Sequence, residues 1–130
     1  MAYVNLIMML AVLEFVLFGL AVARARTRCR VPAPATTGNP EFERYFRAQA
    51  NTLEQLIIFL PALVVFAHYV NAYAAAALGG LFVIGRAVYF QGYVKAAEAR
   101  HLGFVLGSIP TVILLVGAIY GVLRALIAGG

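Results

Sequence analysis

Charged side chains are nearly absent from four long stretches of this chain, and that partition restricts its possible folds more than any other feature. The stretches run from about Ala2 to Ala23, Leu53 to Tyr69, Ala72 to Tyr93 and Phe104 to Ala128. They approach or exceed the roughly 20 apolar residues that a helix needs to cross about 30 Å of hydrocarbon. A soluble domain could not hide so much apolar surface: of 130 residues, 64% are hydrophobic and 12% charged, and small domains bury only a modest share of what they have. The expected fold is an all-α membrane protein, a bundle of four transmembrane helices forming one domain over residues 1–130.

The basic residues predict an orientation. Arg24, Arg26, Arg28 and Arg30 follow the first stretch, no Lys or Arg lies between Arg47 and Arg86, and Lys95 and Arg100 follow the third. Cationic loops stay on the cytoplasmic side, so both termini are expected outside. The first stretch reads as a true span despite the cleavage-like Ala21-Val22-Ala23, because the positive charge follows it rather than precedes it. The Val31–Pro40 segment, VPAPATTGNP, reads as an ordered loop. Pro61 and Pro110 should bend their helices, and Gly103/Gly107 and Gly117/Gly121 mark close helix approaches. A single cysteine, Cys29, excludes an internal disulfide framework, and no His/Cys spacing suggests a metal site. The net charge of +5 sits at the ends of apolar spans, which suits topology and an anionic small ligand rather than nucleic acid.

The second helix is the unusual one. Asn39 is an expected N-cap, Pro40 fits the first helical position, and Glu41 and Glu43 complement the helix dipole. Arg44, Arg47, Asn51 and Glu54 then recur at helical spacing and share one face. This polar stripe runs directly into LIIFLPALVVF. Ionisable groups at the mouth of a bilayer are costly, and a functional site is the default explanation. On the third helix, expected to continue to Arg100, the residues Arg86, Tyr89, Tyr93 and Arg100 fall on one face. Arginines bind carboxylates in bidentate fashion, a glutamate holds an ammonium, and amides and phenols orient peptide groups. The combined set suits a small zwitterionic peptide with more than one carboxylate, such as glutathione. It would also accept a phosphate or nucleotide, or form a self-satisfied network holding the two helices together. Gln49 points almost opposite the stripe, so any ligand contact from it must serve a neighbouring subunit.

Two blocks carry a family resemblance: TTGNPEFERYFRAQANTLE at Thr36–Glu54, and a second at Gly85–Arg100 in which Gly85 is followed by RAVYFQGYVKAAEAR. They resemble the MAPEG family, the membrane-associated proteins in eicosanoid and glutathione metabolism, and in particular its glutathione-using members. The resemblance implies a homotrimer with helices two and three extended on the cytoplasmic side and a glutathione bound at each subunit interface. By position, Arg47, Asn51, Glu54, Arg86, Tyr89 and Tyr93 match glutathione contacts of one subunit. Arg26 and Gln49 match contacts from its neighbour, and Arg100 matches the catalytic arginine that stabilises the thiolate. Glutathione is then a co-substrate, with no metal, and the partner is a hydrophobic electrophile or lipid hydroperoxide drawn from the lipid bilayer. In a bacterium this implies the inner membrane, with the active site facing the cytoplasm. Gln55 departs from the tyrosine of the leukotriene-forming members, which puts their particular substrate in doubt.

Two other functions stand beside this one. A non-catalytic, lipid-binding member would share the fold. A small multidrug transporter would have four short spans and a carboxylate in the first, as Glu14 is, but no polar extension like Glu41 to Asn51.

Overall fold

A computed structural model describes residues 1–129. It contains helices α1 (Ala2–Arg28), α2 (Pro40–Tyr69), α3 (Ala72–Lys95) and α4 (His101–Ile127), with a 3-10 turn over Ala97–Arg100 leading into α4. All four helices are long and apolar enough to cross a membrane, and no strand occurs among the described residues. Helices α2 and α3 form a central pair, and α1 and α4 each pack against both of them.

The helix starts follow from local chemistry. Asn39 is extended (φ −143°, ψ 116°) and its side-chain oxygen accepts from the Phe42 N–H at 3.0 Å. Glu43 reaches back to accept from the Gly38 N–H at 3.1 Å. Gly38 has φ +113°, a left-handed conformation that favours glycine at the turn into the cap. Asn71 caps α3 in the same way, accepting from the Ala74 N–H at 2.8 Å. Only Val70 and Asn71 separate α2 from α3. Helix α2 continues through Pro61 and α4 through Pro110.

The centre of the bundle is a stack of Phe59 on Phe82, with ring centroids 3.8 Å apart and planes 6° from parallel. Both are fully buried, together with Val4, Leu63 and Leu114. The outward faces are also apolar: Leu13, Leu17, Val112 and Val116 are more than half exposed. In water such a surface would aggregate, whereas in a bilayer it meets lipid chains.

Small residues set the closest crossings. A Cβ on Gly103 would fall 2.0 Å from the Tyr89 backbone nitrogen, and one on Gly117 would fall 2.4 Å from the Phe66 ring. Both glycine pairs of α4 therefore serve packing within the protomer, Gly103/Gly107 against α3 and Gly117/Gly121 against α2.

One expectation needs correction. Helix α3 does not continue to Arg100; it ends at Lys95. Ala96 is extended (φ −161°, ψ 138°), and the chain folds back at once. The cause is Gly92, against which the 3-10 turn packs so closely that a Cβ there would lie 2.3 Å from the Ala99 carbonyl oxygen. The Ala96 N–H still closes on the Gly92 carbonyl at 3.1 Å. Arg100 therefore rides on the entry to α4, off the face of α3.

Candidate functional site

The polar face of α2 meets α3 at one end of the bundle, where Arg86 sits at the centre. Arg86 is 0% exposed, an unusual state for a guanidinium in an apolar helix. Its Nη2 donates to Asn51 Oδ1 and to Thr52 Oγ1, each at 2.9 Å. Its guanidinium carbon lies 3.9 Å from the centroid of the Tyr89 ring. Asn51 in turn donates from Nδ2 to Glu54 Oε1 at 3.2 Å. A buried cation thus orients an amide on the neighbouring helix, and the amide orients an exposed carboxylate.

A second chain of contacts leads outward along α3. Tyr89 and Tyr93 meet edge to face, centroids 5.5 Å apart and planes 77° from parallel. The Arg100 guanidinium lies 5.6 Å from the Tyr93 ring centroid, although it arrives from the α4 side. Arg100 Nη1 donates to the Ala97 carbonyl, which fixes the arginine to its own 3-10 turn. Arg47 and Tyr93 line a common open cleft of about 520 Å³, with Glu43, Arg44, Lys95 and Glu98 at its edges. Arg44 closes one side by donating from Nε to the Val94 carbonyl at 3.2 Å.

The charges of this region are not mutually satisfied. Among the described residues the only ion pair joins Arg28 to Glu41 at 2.5 Å, away from the cleft. Arg47 and Glu54 are exposed and Arg100 partly so, and none of the three has a charged partner. A network built only to hold α2 and α3 together would pair them. One turn beyond Glu54 the α2 surface turns apolar, and a groove of about 540 Å³ opens between Ile57, Pro61 and Val65 of α2 and Leu115, Ile119 and Leu123 of α4.

Arg26 and Gln49 lie elsewhere, on the α1 side. Arg26 Nη1 donates to the carbonyls of Val31, at 3.3 Å, and Ala35, at 2.8 Å, and its guanidinium covers the Phe42 ring. Within the protomer it holds the α1–α2 loop. Gln49 lies against α1, its Nε2 2.8 Å from where a Cβ on Gly19 would be. Neither reaches the Arg47 cleft of its own chain.

Sequence reasoning missed Thr52. It is buried, accepts from Arg86 and donates to the Ala48 carbonyl at 2.9 Å. The available signal was a polar residue one step off the stripe at the start of a span. Lys95 marks only topology in the sequence and Glu98 carries no signal there, yet both line the cleft. Among the described residues no group of three or more His, Cys, Asp or Glu side chains is placed to hold a metal ion.

The model of the MAPEG family matches residues 4–120. An uncharacterised protein of Synechocystis is 48% identical over 118 residues, which cover 91% of this chain and 86% of that one. Human microsomal glutathione S-transferase 2 is 44% identical over 103 residues, 78% of this chain and 70% of its own. Leukotriene C4 synthase of Cavia porcellus is 45% identical over 92 residues, 71% of this chain and 61% of its own.

Proposed function

The chain belongs to the MAPEG family, and from that premise we propose that it is a membrane-bound glutathione transferase that delivers the glutathione thiolate to lipophilic electrophiles. What supports this is a cleft lined by Arg47 and Tyr93, with Arg100 over the Tyr93 ring and the exposed Glu54 carboxylate held by Asn51; none of Arg47, Glu54 and Arg100 has a charged partner. Glutathione carries two carboxylates, one ammonium, two amides and a thiol. Arg47 suits a carboxylate, Glu54 suits the ammonium, and Asn51, Tyr89 and Tyr93 suit the amide groups, while the enclosed Arg86 acts through Asn51. The names of two relatives, a glutathione transferase and a leukotriene C4 synthase, point the same way.

A free thiol with a pKa of about 8.5 is only about 3% ionised at neutral pH. The Arg100 guanidinium stands over the Tyr93 ring and favours the thiolate of a bound tripeptide. The thiol proton passes to solvent. The sulfur lone pair then forms the new C–S bond while the carbon–leaving-group bond breaks and the leaving group departs with its electrons. The protein also brings together a water-soluble and a lipid-soluble reactant, a gain in effective concentration. The same thiolate also reduces lipid hydroperoxides: sulfur takes the terminal oxygen, releasing the alcohol, and a second glutathione converts the resulting sulfenic acid to glutathione disulfide and water. The active form is a homotrimer in which Arg26 and Gln49, remote from the cleft of their own chain, complete the neighbour's site. The polar ends of α2 and α3 face the cytoplasm, following the arginines after α1.

A lipid-binding role without chemistry would not require Arg100 over Tyr93. A transport role would need Glu14 to face a conduit, whereas one of its oxygens is enclosed within the bundle. Thermal-shift titration of the detergent-solubilised chain with glutathione and S-hexyl glutathione tests the proposal. Saturable stabilisation by both is expected; no response to either, with the protein folded, would remove it.

A further inference from the structure

Helices α1 and α3 run side by side in a fixed register. Ile7 packs on Gly79, where an added Cβ would meet Ile7 Cγ2 at 2.6 Å, and Phe18 stacks on Phe90 at 4.1 Å with planes 6° from parallel. The same sequence offset separates both pairs, and applied to Glu14 it lands on Arg86. Phe18 lies one turn after Glu14 and Phe90 one turn after Arg86, so the two charged residues sit at the same level of α1 and α3, their charged atoms more than 4 Å apart.

Their unmet bonding needs are complementary. Glu14 Oε1 is buried and accepts nothing; Arg86 Nε and Nη1 are buried and donate to nothing. The third nitrogen of Arg86, Nη2, is committed to Asn51 and Thr52. Each is within electrostatic reach of the other, and Glu54 is the other carboxylate that acts on Arg86. Glu54 is exposed and already bonded to Asn51. A guanidinium enclosed at this depth without a counter-charge would be severely destabilising, and Glu14, half-buried with one oxygen enclosed, is the carboxylate at its level on α1.

We propose that Glu14 is a positioning residue: the counter-charge in α1 that fixes the Arg86 guanidinium so that its Nη2 holds Asn51, and through Asn51 the Glu54 carboxylate, in place for the ligand. Only the final link, to ligand, rests on the glutathione function proposed above. Glu14 does not line the cleft, which separates it from the binding groups.

Two measurements on the full-length chain in lipid nanodiscs test this separately. The first needs no ligand: melting temperatures of Glu14→Gln, Arg86→Gln and the double variant. Each single change should lower the Tm, and the double variant should lie well above the sum of the two losses, because it leaves no uncompensated charge. Additive losses would overturn the pairing. If a single variant fails to fold, infrared spectra of wild type and Glu14→Asp replace it: an ionised carboxylate band that shifts in Glu14→Asp is expected, and a protonated carboxyl assigned to position 14 would overturn the pairing. The second is glutathione titration. Glu14→Gln should weaken binding about tenfold and Glu14→Asp should restore it to within about threefold, with kcat at saturating glutathione changed less than affinity. Wild-type affinity in folded Glu14→Gln would overturn the positioning role. A wild-type chain indifferent to glutathione would instead refute the proposed function, while the ligand-free cycle would still decide the ion pair.

Discussion

Adding one methyl group to α4, Gly103→Ala, should damage both the bundle and the site. The new Cβ would lie 2.0 Å from the Tyr89 nitrogen and 2.3 Å from its Cα. Ordinary contact begins near 3.4 Å, so α3 and α4 must part by about 1.4 Å locally, and the obstacle is backbone that cannot rotate away. Overpacking of this severity costs about 3 kcal/mol. The greater helix propensity of alanine returns about 1 kcal/mol. The net loss of about 2 kcal/mol corresponds to a Tm drop of about 8 °C for a chain of this size. The displaced residue is Tyr89, one turn from Arg86 and one from Tyr93, and misplacement by about 1 Å is enough to reduce turnover about a hundredfold. Gly80→Ala supplies the control, because its Cβ would meet nothing closer than Ile7 Cδ1 at 3.8 Å. Melting curves in detergent with and without glutathione, followed by conjugation of chlorodinitrobenzene, read out both effects. If Gly103→Ala matched Gly80→Ala in stability and in glutathione response, the close α3–α4 crossing would not be what holds the site.

Arg100→Ala should keep glutathione binding within a few fold yet lower conjugation by about ten- to thirtyfold near neutral pH, the range set by a thiol that is otherwise about 3% ionised. Unchanged turnover would take Arg100 out of the chemistry. Phe59→Ala empties the centre of the Phe59–Phe82 stack and should cost about 3–5 kcal/mol, measured as a Tm loss, while the folded fraction binds glutathione normally. Asn39→Ala removes the bond to the Phe42 N–H and should cost about 1 kcal/mol. Hydrogen exchange should then quicken in the first turn of α2 and not in α3; uniform quickening would argue against a local cap.

The helices were legible because two strong signals agreed. Hydropathy marked each span, and Asn39-Pro40 and Asn71 marked the starts of α2 and α3 by side-chain capping that depends on neighbours in sequence alone. The end of α3 was not legible. The segment from Val94 to Arg100 has ordinary helix formers, and the break at Ala96 arises because the following turn packs on Gly92, a contact visible only in three dimensions. The site divides similarly. Arg47, Asn51, Glu54, Arg86, Tyr89 and Tyr93 sit where helical periodicity puts them. Arg100 comes close to Tyr93 by a different route, across a chain reversal. Thr52 was not legible as a partner of Arg86, and the role proposed for Glu14 was not legible either, because helix-to-helix register cannot be counted along a single helix.

The chain reversal at Ala96 divides the labour of the proposed site between a helix pair and the helix that follows it. Within one protomer the proposed recognition groups lie on α2 and α3, whereas the cation assigned to the sulfur is carried on the threshold of α4. A chimera that imports α2 and α3 from a relative and keeps the native Ala97–Ile127 segment would change what the tripeptide touches without replacing the group that activates it. Ligand preference and reactivity should therefore be exchangeable as separate cassettes, with the junction at Ala96.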